Sequence, residues 1–173
     1  MKIAIDLDGT LWNLITPVLE QLSEHNLQYE DIVLYNLWKL LPHSEEEVYS
    51  IIENLDWKKI NLYPYAYEGI IALEKKHEIY FLTKKNDAMM GWTSKVLKKN
   101  NLDHLPLIQV KNSNELFKAH PDYEYDVLID DSPENIIACQ KRGRKVIIFD
   151  APWNRSLSGD RVNNWKEIIQ MFS

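Results

Sequence analysis

Two pairs of carboxylates carry the most legible chemistry in this chain. Asp6 and Asp8 stand one residue apart in Lys2-Ile-Ala-Ile-Asp6-Leu-Asp8-Gly9-Thr10-Leu11, and Asp130 and Asp131 are adjacent in Tyr125-Asp-Val-Leu-Ile-Asp130-Asp131. Each pair ends an apolar, β-branched run of strand length. An acid at the carboxyl end of a strand points into the crevice where open α/β sheets bind ligands. Acids held this close repel one another, so a site built of them invites a shared proton or a cation. Four carboxylates converging without a counter-ion cost on the order of several kcal/mol. A hard divalent cation removes that cost, and oxygen-only ligation by a few carboxylates is typical of Mg²⁺. Asp6, Asp8, Asp130 and Asp131 are therefore the candidate metal residues. Each pair alone has a plainer reading: Asp-Gly is a common turn, and acids are favourable near a helix N-terminus. Two pairs at two strand ends favour the metal.

A second set offers hydroxyls and positive charge. Thr83 ends the run Glu78-Ile-Tyr-Phe-Leu-Thr83, and Lys84 and Lys85 follow it. A hydroxyl and a backbone N–H there can bind a phosphate oxygen, although a solvated basic loop explains the same residues. Lys111 and Lys118 lie further on, and a lysine is a point-charge partner for phosphate. Asp150 ends another apolar run. Between Tyr29 and Tyr67 the aromatics cluster, with Tyr35, Trp38, Trp57 and Tyr65 among them. Nucleobases stack on such rings, and so does the core of a small helical segment.

These residues need a frame that brings them together. Strands are expected over residues 2–7, 78–83, 106–110, 125–131 and 145–150, alternating with helices over 87–100, 133–142 and 162–171. Ser132-Pro133 reads as a cap with a first-turn proline, and Gly143 as a stop. Such alternation argues a parallel sheet with helices on both faces. All strand carboxyl ends then share one edge, where residues far apart in sequence meet. Helical pieces are also expected over 14–26, within 29–41, over 44–54 and over 64–76. The second of these is a loop with a short helix, and the third opens on the capping box Ser44-Glu-Glu-Glu47. One crossover needs only one helix. The surplus, residues 14–62, reads as a helical cap inserted after the first strand, with residues 1–13 and 63–173 as the core domain.

Composition narrows the partners. At 173 residues the chain fits one domain with a small insertion. The net charge is −6 with no basic block, so no footprint for long nucleic acid is expected, while a small anion remains open. A single cysteine, Cys139, excludes an internal disulfide and fits a reducing, cytoplasmic compartment. Its helical, apolar setting reads as buried and structural. No signal peptide and no membrane span are expected. The sequence leaves the oligomeric state open.

The motif Asp6-Leu-Asp8-Gly9-Thr10-Leu11 resembles motif I of the haloacid dehalogenase-like phosphohydrolases. Thr83 at a strand end resembles motif II, and Leu128-Ile-Asp130-Asp131-Ser-Pro-Glu-Asn135 resembles motif IV, in the same order and over nearly the whole chain. For the motif III lysine, Lys118 has the favoured spacing to Asp130, and Lys111 is the rival. Within the superfamily the chain is most similar to the 5′(3′)-deoxyribonucleotidases. Phe81-Leu-Thr83, Asn54-Leu-Asp-Trp57 before Tyr63-Pro64-Tyr-Ala66, and Phe149-Asp-Ala-Pro-Trp153-Asn154 carry that likeness. It departs at Lys84, where a small hydroxyl residue is usual. The resemblance implies a Rossmann-like fold with a five-stranded parallel sheet in the order 3-2-1-4-5. It implies a Mg²⁺-dependent phosphatase for (deoxy)nucleoside monophosphates, with Asp6 as nucleophile and Asp8 as acid–base. Thr83, Lys84 and Lys118 would bind phosphate. Asp6, Asp8 (through its backbone carbonyl), Asp130 and Asp131 would hold the metal, and the cap residues Trp38 and Trp57 would face the base. Two alternatives stand beside it. One is a phosphatase for another small ester or a polynucleotide 3′-phosphate, and the other a non-catalytic nucleotide-binding or interaction module.

Overall fold

In the computed structural model, the structure describes residues 1–22, 26–110 and 117–173. Among the described residues, six parallel strands form one sheet: β1 (Lys2–Ile5), β2 (Glu78–Thr83), β3 (Leu107–Gln109), β4 (Val127–Asp130), β5 (Val146–Phe149) and β6 (Arg161–Val162). Their order is β3-β2-β1-β4-β5-β6. The expected five-strand order stands within it, and the sixth strand extends one edge. Val162, expected to begin the closing helix, instead pairs with Phe149, and the Asp150 N–H donates to the Val162 carbonyl at 2.8 Å. The pairing wins because Arg161 is anchored by Asp150 and by the Asn154 side chain, each at 2.7 Å.

The central strands are buried on both faces, and their side chains sort by alternation. Ile3, Ile5, Phe81, Val127 and Ile129 join one apolar cluster; Ala4, Tyr80, Leu82 and Leu128 join the other. The first cluster is covered by α3 (Ala66–Glu74), α4 (Asp87–Lys99) and α6 (Trp165–Met171), and the second by α5 (Pro133–Lys141). Cys139 is buried in that second cluster.

Between β1 and β2 lie α1 (Ile15–Gln21), α2 (Glu45–Glu53) and short 3-10 turns at Tyr29–Asp31, Leu37–Lys39 and Trp57–Lys59. The first helix starts at Ile15, and the Asn13 carboxamide oxygen accepts the Thr16 N–H at 3.0 Å. The helix α2 carries the capping box: the Glu47 N–H donates to Ser44 Oγ and the Ser44 N–H to Glu47 Oε2. Val18, Ile32, Leu37, Val48 and Ile60 of this segment belong to the same apolar cluster as Ile3 and Phe81. Among the described residues, the inserted segment thus shares the main core.

Candidate active site

The register places the acids. Parallel pairing of Ile5 with Ile129 puts Asp6 beside Asp130 at one edge, and the Asp6 N–H still donates to the Ile129 carbonyl at 2.9 Å. Past the strand the chain turns through Gly9 at φ +81, where a Cβ would lie 2.3 Å from Asp131 Oδ2. Only glycine lets this turn lie against the carboxylate. Thr10 Oγ1 then donates to Asp131 Oδ1 at 3.1 Å.

Lys118 stands between acids of the two pairs. Its side chain is 1% exposed, and its Nζ pairs with both Asp6 Oδ1 and Asp130 Oδ2, the latter at 2.8 Å. Lys111 lies outside the described residues. Asp130 also accepts from the Ser132 N–H at 2.8 Å and from Asn135 Nδ2. Asp131 accepts from Trp153 Nε1 at 3.1 Å, while Asn154 Nδ2 holds its backbone carbonyl at 2.8 Å. Ser132, expected as a helix cap, and Asn135, Trp153 and Asn154, which the motif resemblance includes without a role, are the partners of these acids. Asp150, the other acid at a strand end, is bound instead by Arg155 and Arg161.

The donor set fits a small hard cation. Asp6, Asp130 and Asp131 are buried, and one carboxylate oxygen from each lies within 4.8 Å of the others. Opposed ligands of an octahedral Mg²⁺ sit about 4.2 Å apart, so slight closure makes a site. The Asp8 carboxylate stands outside this cluster. Its Oδ1 accepts from Trp12 Nε1 at 2.6 Å and from Lys85 Nζ at 2.9 Å.

Two cavities meet at this edge. One, of about 390 Å³, is lined by Asp6, Asp8, Thr83, Lys84 and Lys118 below and by Tyr35, Trp38 and Tyr49 above. The other, of about 130 Å³, is mainly apolar and reaches past Asp8 to Leu37, Trp38, Val48 and Met89. Lys84 is half exposed and lies 3.8 Å from Glu134. The Trp38 ring sits 5.6 Å from that of Tyr49. Trp57 is in neither lining. It packs against the main core with the Lys58 ammonium 6.0 Å from its ring. The structure brings Trp38 to the acids and leaves Trp57 away from them, because the 3-10 turn at Trp57–Lys59 packs on α4.

Burial raises the Asp6 carboxyl to about 7, with Lys118 pulling it back and Asp130 and Asp8 pushing it up. Burial also holds Asp131 well above the ordinary range, with Asp6 and Asp130 adding to the effect. Burial alone would lower Lys118, but Asp130 and Asp6 more than offset this and keep it charged. In the metal-free protein a raised Asp keeps its proton after the unfolded chain has released it. That contribution to stability is present below about pH 4 and fades as pH climbs through about 7. Metal needs the deprotonated carboxylates, so its binding releases protons. Millimolar Mg²⁺ is expected to raise the melting temperature more at about pH 8 than at about pH 5.5. Thermal unfolding at both pH values checks this, and equal gains contradict it.

Residues 1–173 match the family described as "5′ nucleotidase, deoxy (Pyrimidine), cytosolic type C protein". A candidate nucleotidase of Halalkalibacterium halodurans is 25% identical, over 96% of this chain and 89% of its own. A nucleotidase of Clostridium acetobutylicum is 23% identical, over 97% and 91%. Among solved structures, a haloacid dehalogenase-like hydrolase of Bacillus subtilis, described as bound to magnesium, superposes with a TM-score of 0.62 at 13% identity, covering 99% of this chain and 97% of that one. The chain has the fold of the haloacid dehalogenase-like hydrolases, belongs to this 5′ nucleotidase family, and is a phosphoric monoester hydrolase.

Proposed function

We propose that the chain hydrolyses (deoxy)nucleoside monophosphates with Mg²⁺ held by Asp6, Asp130, Asp131 and the Asp8 carbonyl, through an aspartyl-phosphate on Asp6. The supporting observation is the cavity that has Asp6, Asp8, Thr83 and Lys118 on one side and a group of aromatic residues on the other. Bound metal would offset phosphate charge so that an anionic carboxylate can approach. Asp6 attacks phosphorus as the ester P–O bond breaks, and Asp8 gives its proton to the leaving alkoxide. Water then attacks phosphorus, Asp8 takes the proton back, and the bond from Asp6 to phosphorus breaks. The Thr83 hydroxyl, the Lys118 ammonium and Lys84 hold the equatorial oxygens.

Residues 14–62 serve as the cap and residues 1–13 and 63–173 as the core. Trp38, not Trp57, is the base-facing tryptophan. A Trp38→Ala enzyme is expected to raise KM for nucleoside monophosphates about 10-fold while leaving KM for inorganic pyrophosphate or simple sugar phosphates near wild type, since ring stacking contributes about 1–3 kcal/mol per base. A Trp57→Ala enzyme is expected to melt lower with KM unchanged. Equal effects of the two variants on KM contradict the assignment.

The substrate reading is tested by phosphate release from nucleoside monophosphates, sugar phosphates and 3′-phosphorylated oligonucleotides, with Mg²⁺ and with chelator. Preferred, Mg²⁺-dependent cleavage of the mononucleotides is expected. Preference for oligonucleotide ends favours the polynucleotide reading, and tight nucleotide binding without turnover favours the non-catalytic one.

A further inference from the structure

Lys85 follows Thr83 and Lys84 in a loop where a lysine would ordinarily reach into water. Its side chain is instead 1% exposed. The ammonium lies 2.9 Å from Asp8 Oδ1 and 2.9 Å from Thr93 Oγ1 on α4. The centroid of the Trp92 ring is 3.9 Å away and that of Trp12 is 5.0 Å away. Thr93 spends its own proton on the Met89 carbonyl at 2.8 Å, so its oxygen faces the ammonium as an acceptor. Two indole faces and a hydroxyl replace only part of the hydration of a lysine. The Asp8 carboxylate supplies the rest. An apolar side chain of similar volume would fill the same space without that desolvation, so packing does not explain a lysine here.

Asp8 Oδ1 is already bonded to Trp12 Nε1 at 2.6 Å. Among the described residues, both donors to this carboxylate fall on Oδ1. The carboxylate remains a quarter exposed, and Asp8 lines both cavities. One oxygen is thus occupied by fixed donors and the other is presented to the substrate space. Asp8 sits on a glycine turn beyond the sheet, where, among the described residues, these two donors hold its side chain.

We propose that Lys85 is a positioning residue for proton transfer, clamping Asp8 Oδ1 together with Trp12 so that Oδ2 faces the leaving oxygen and then the attacking water. Lys85 takes no part in the transfer itself; the transferred proton leaves from and returns to Asp8 Oδ2. The inference rests on the acid–base role of Asp8 given above.

The test uses Lys85→Met, which keeps length and removes charge. Its kcat for a nucleoside monophosphate is expected to fall about 30- to 100-fold with KM within about threefold, part of the 10²–10⁴-fold that general acid–base catalysis supplies. With p-nitrophenyl phosphate, whose leaving group needs no proton, the first-turnover burst should stay within about threefold of wild type and the later steady rate should fall. In an Asp8→Asn background the same substitution should change single-turnover rates less than about twofold, because the group it positions is gone. A wild-type kcat overturns the proposal, as does an equal loss in the two backgrounds, which marks general damage to the fold. An Asp8→Asn enzyme with wild-type kcat on nucleotides sinks the acid–base reading instead, and the proposal with it. If Lys85→Met does not fold, Thr93→Val keeps the lysine and removes one anchor. It is expected to lower kcat about 3- to 10-fold with the same leaving-group signature, and an unchanged kcat overturns the proposal.

Discussion

An Asp6→Asn enzyme is expected to lose about 10⁴-fold or more in kcat while keeping its fold, since removal of a nucleophile takes away the covalent step outright. Amide and carboxylate have nearly the same shape, so the sheet edge is undisturbed. Stability should not suffer. Burial, with repulsion from Asp130 and Asp8, pushes the Asp6 carboxyl up to about 7 against the pull of Lys118. Taking one away relieves that repulsion, and Lys118 retains Asp130 at 2.8 Å. The metal-free variant should therefore melt at or above the wild-type temperature while turning over almost no substrate. Steady-state phosphate release and thermal unfolding on the same preparation check both halves. Near wild-type turnover contradicts the nucleophile assignment, and a collapsed melting transition contradicts the electrostatic picture of the cluster.

Lys118→Met is expected to act in the opposite way on stability. The lysine is buried between Asp6 and Asp130. Removing one member of such a group leaves uncompensated buried charge and costs about 3–5 kcal/mol. In a domain of this size that is a fall of roughly 10 °C in melting temperature. The loss should shrink toward about pH 5, where the acids take up protons instead of remaining unpaired. Mg²⁺ should recover part of it, because a cation at the acids replaces some of the missing positive charge. Activity should fall as well, with a lysine lost from the transferring oxygens. Melting curves with chelator and with Mg²⁺ at two pH values measure these effects. A chelated variant as stable as the wild type contradicts the role given to Lys118.

The parts of the site readable from sequence are those that the strands themselves position. Asp6 and Asp130 are each the last polar step of an apolar run, and parallel pairing leaves them no place except one edge. Topology alone thus joins residues more than a hundred positions apart. Each of the five strand-length runs became a strand, whereas β6 is two residues held by Arg161, too short for periodicity to register. Lys85 was unreadable for a different reason. Its burial depends on Trp12 from the motif I turn and on Trp92 from the helix that follows it, and no local pattern announces that these two rings enclose one ammonium. The tryptophans divide similarly: Trp38 and Trp57 look alike in sequence, but the turn bearing Trp57 packs on α4 while Trp38 meets Tyr49 over the cavity. The end-of-strand acid Asp150 carried the same signal as Asp6, and it became a partner of Arg155 in the following loop and of Arg161 on β6 because both guanidinium groups reach it.

The most direct measurement is to quench the enzyme in acid during turnover of a nucleoside monophosphate, trap acyl phosphate by borohydride reduction, and locate it by peptide mass spectrometry. Modification at Asp6, absent from Asp6→Asn and from chelated enzyme, is the expected result. Modification at another residue, or none under conditions where a control aspartyl-phosphate survives the quench, contradicts covalent catalysis at the edge where the two acid pairs meet.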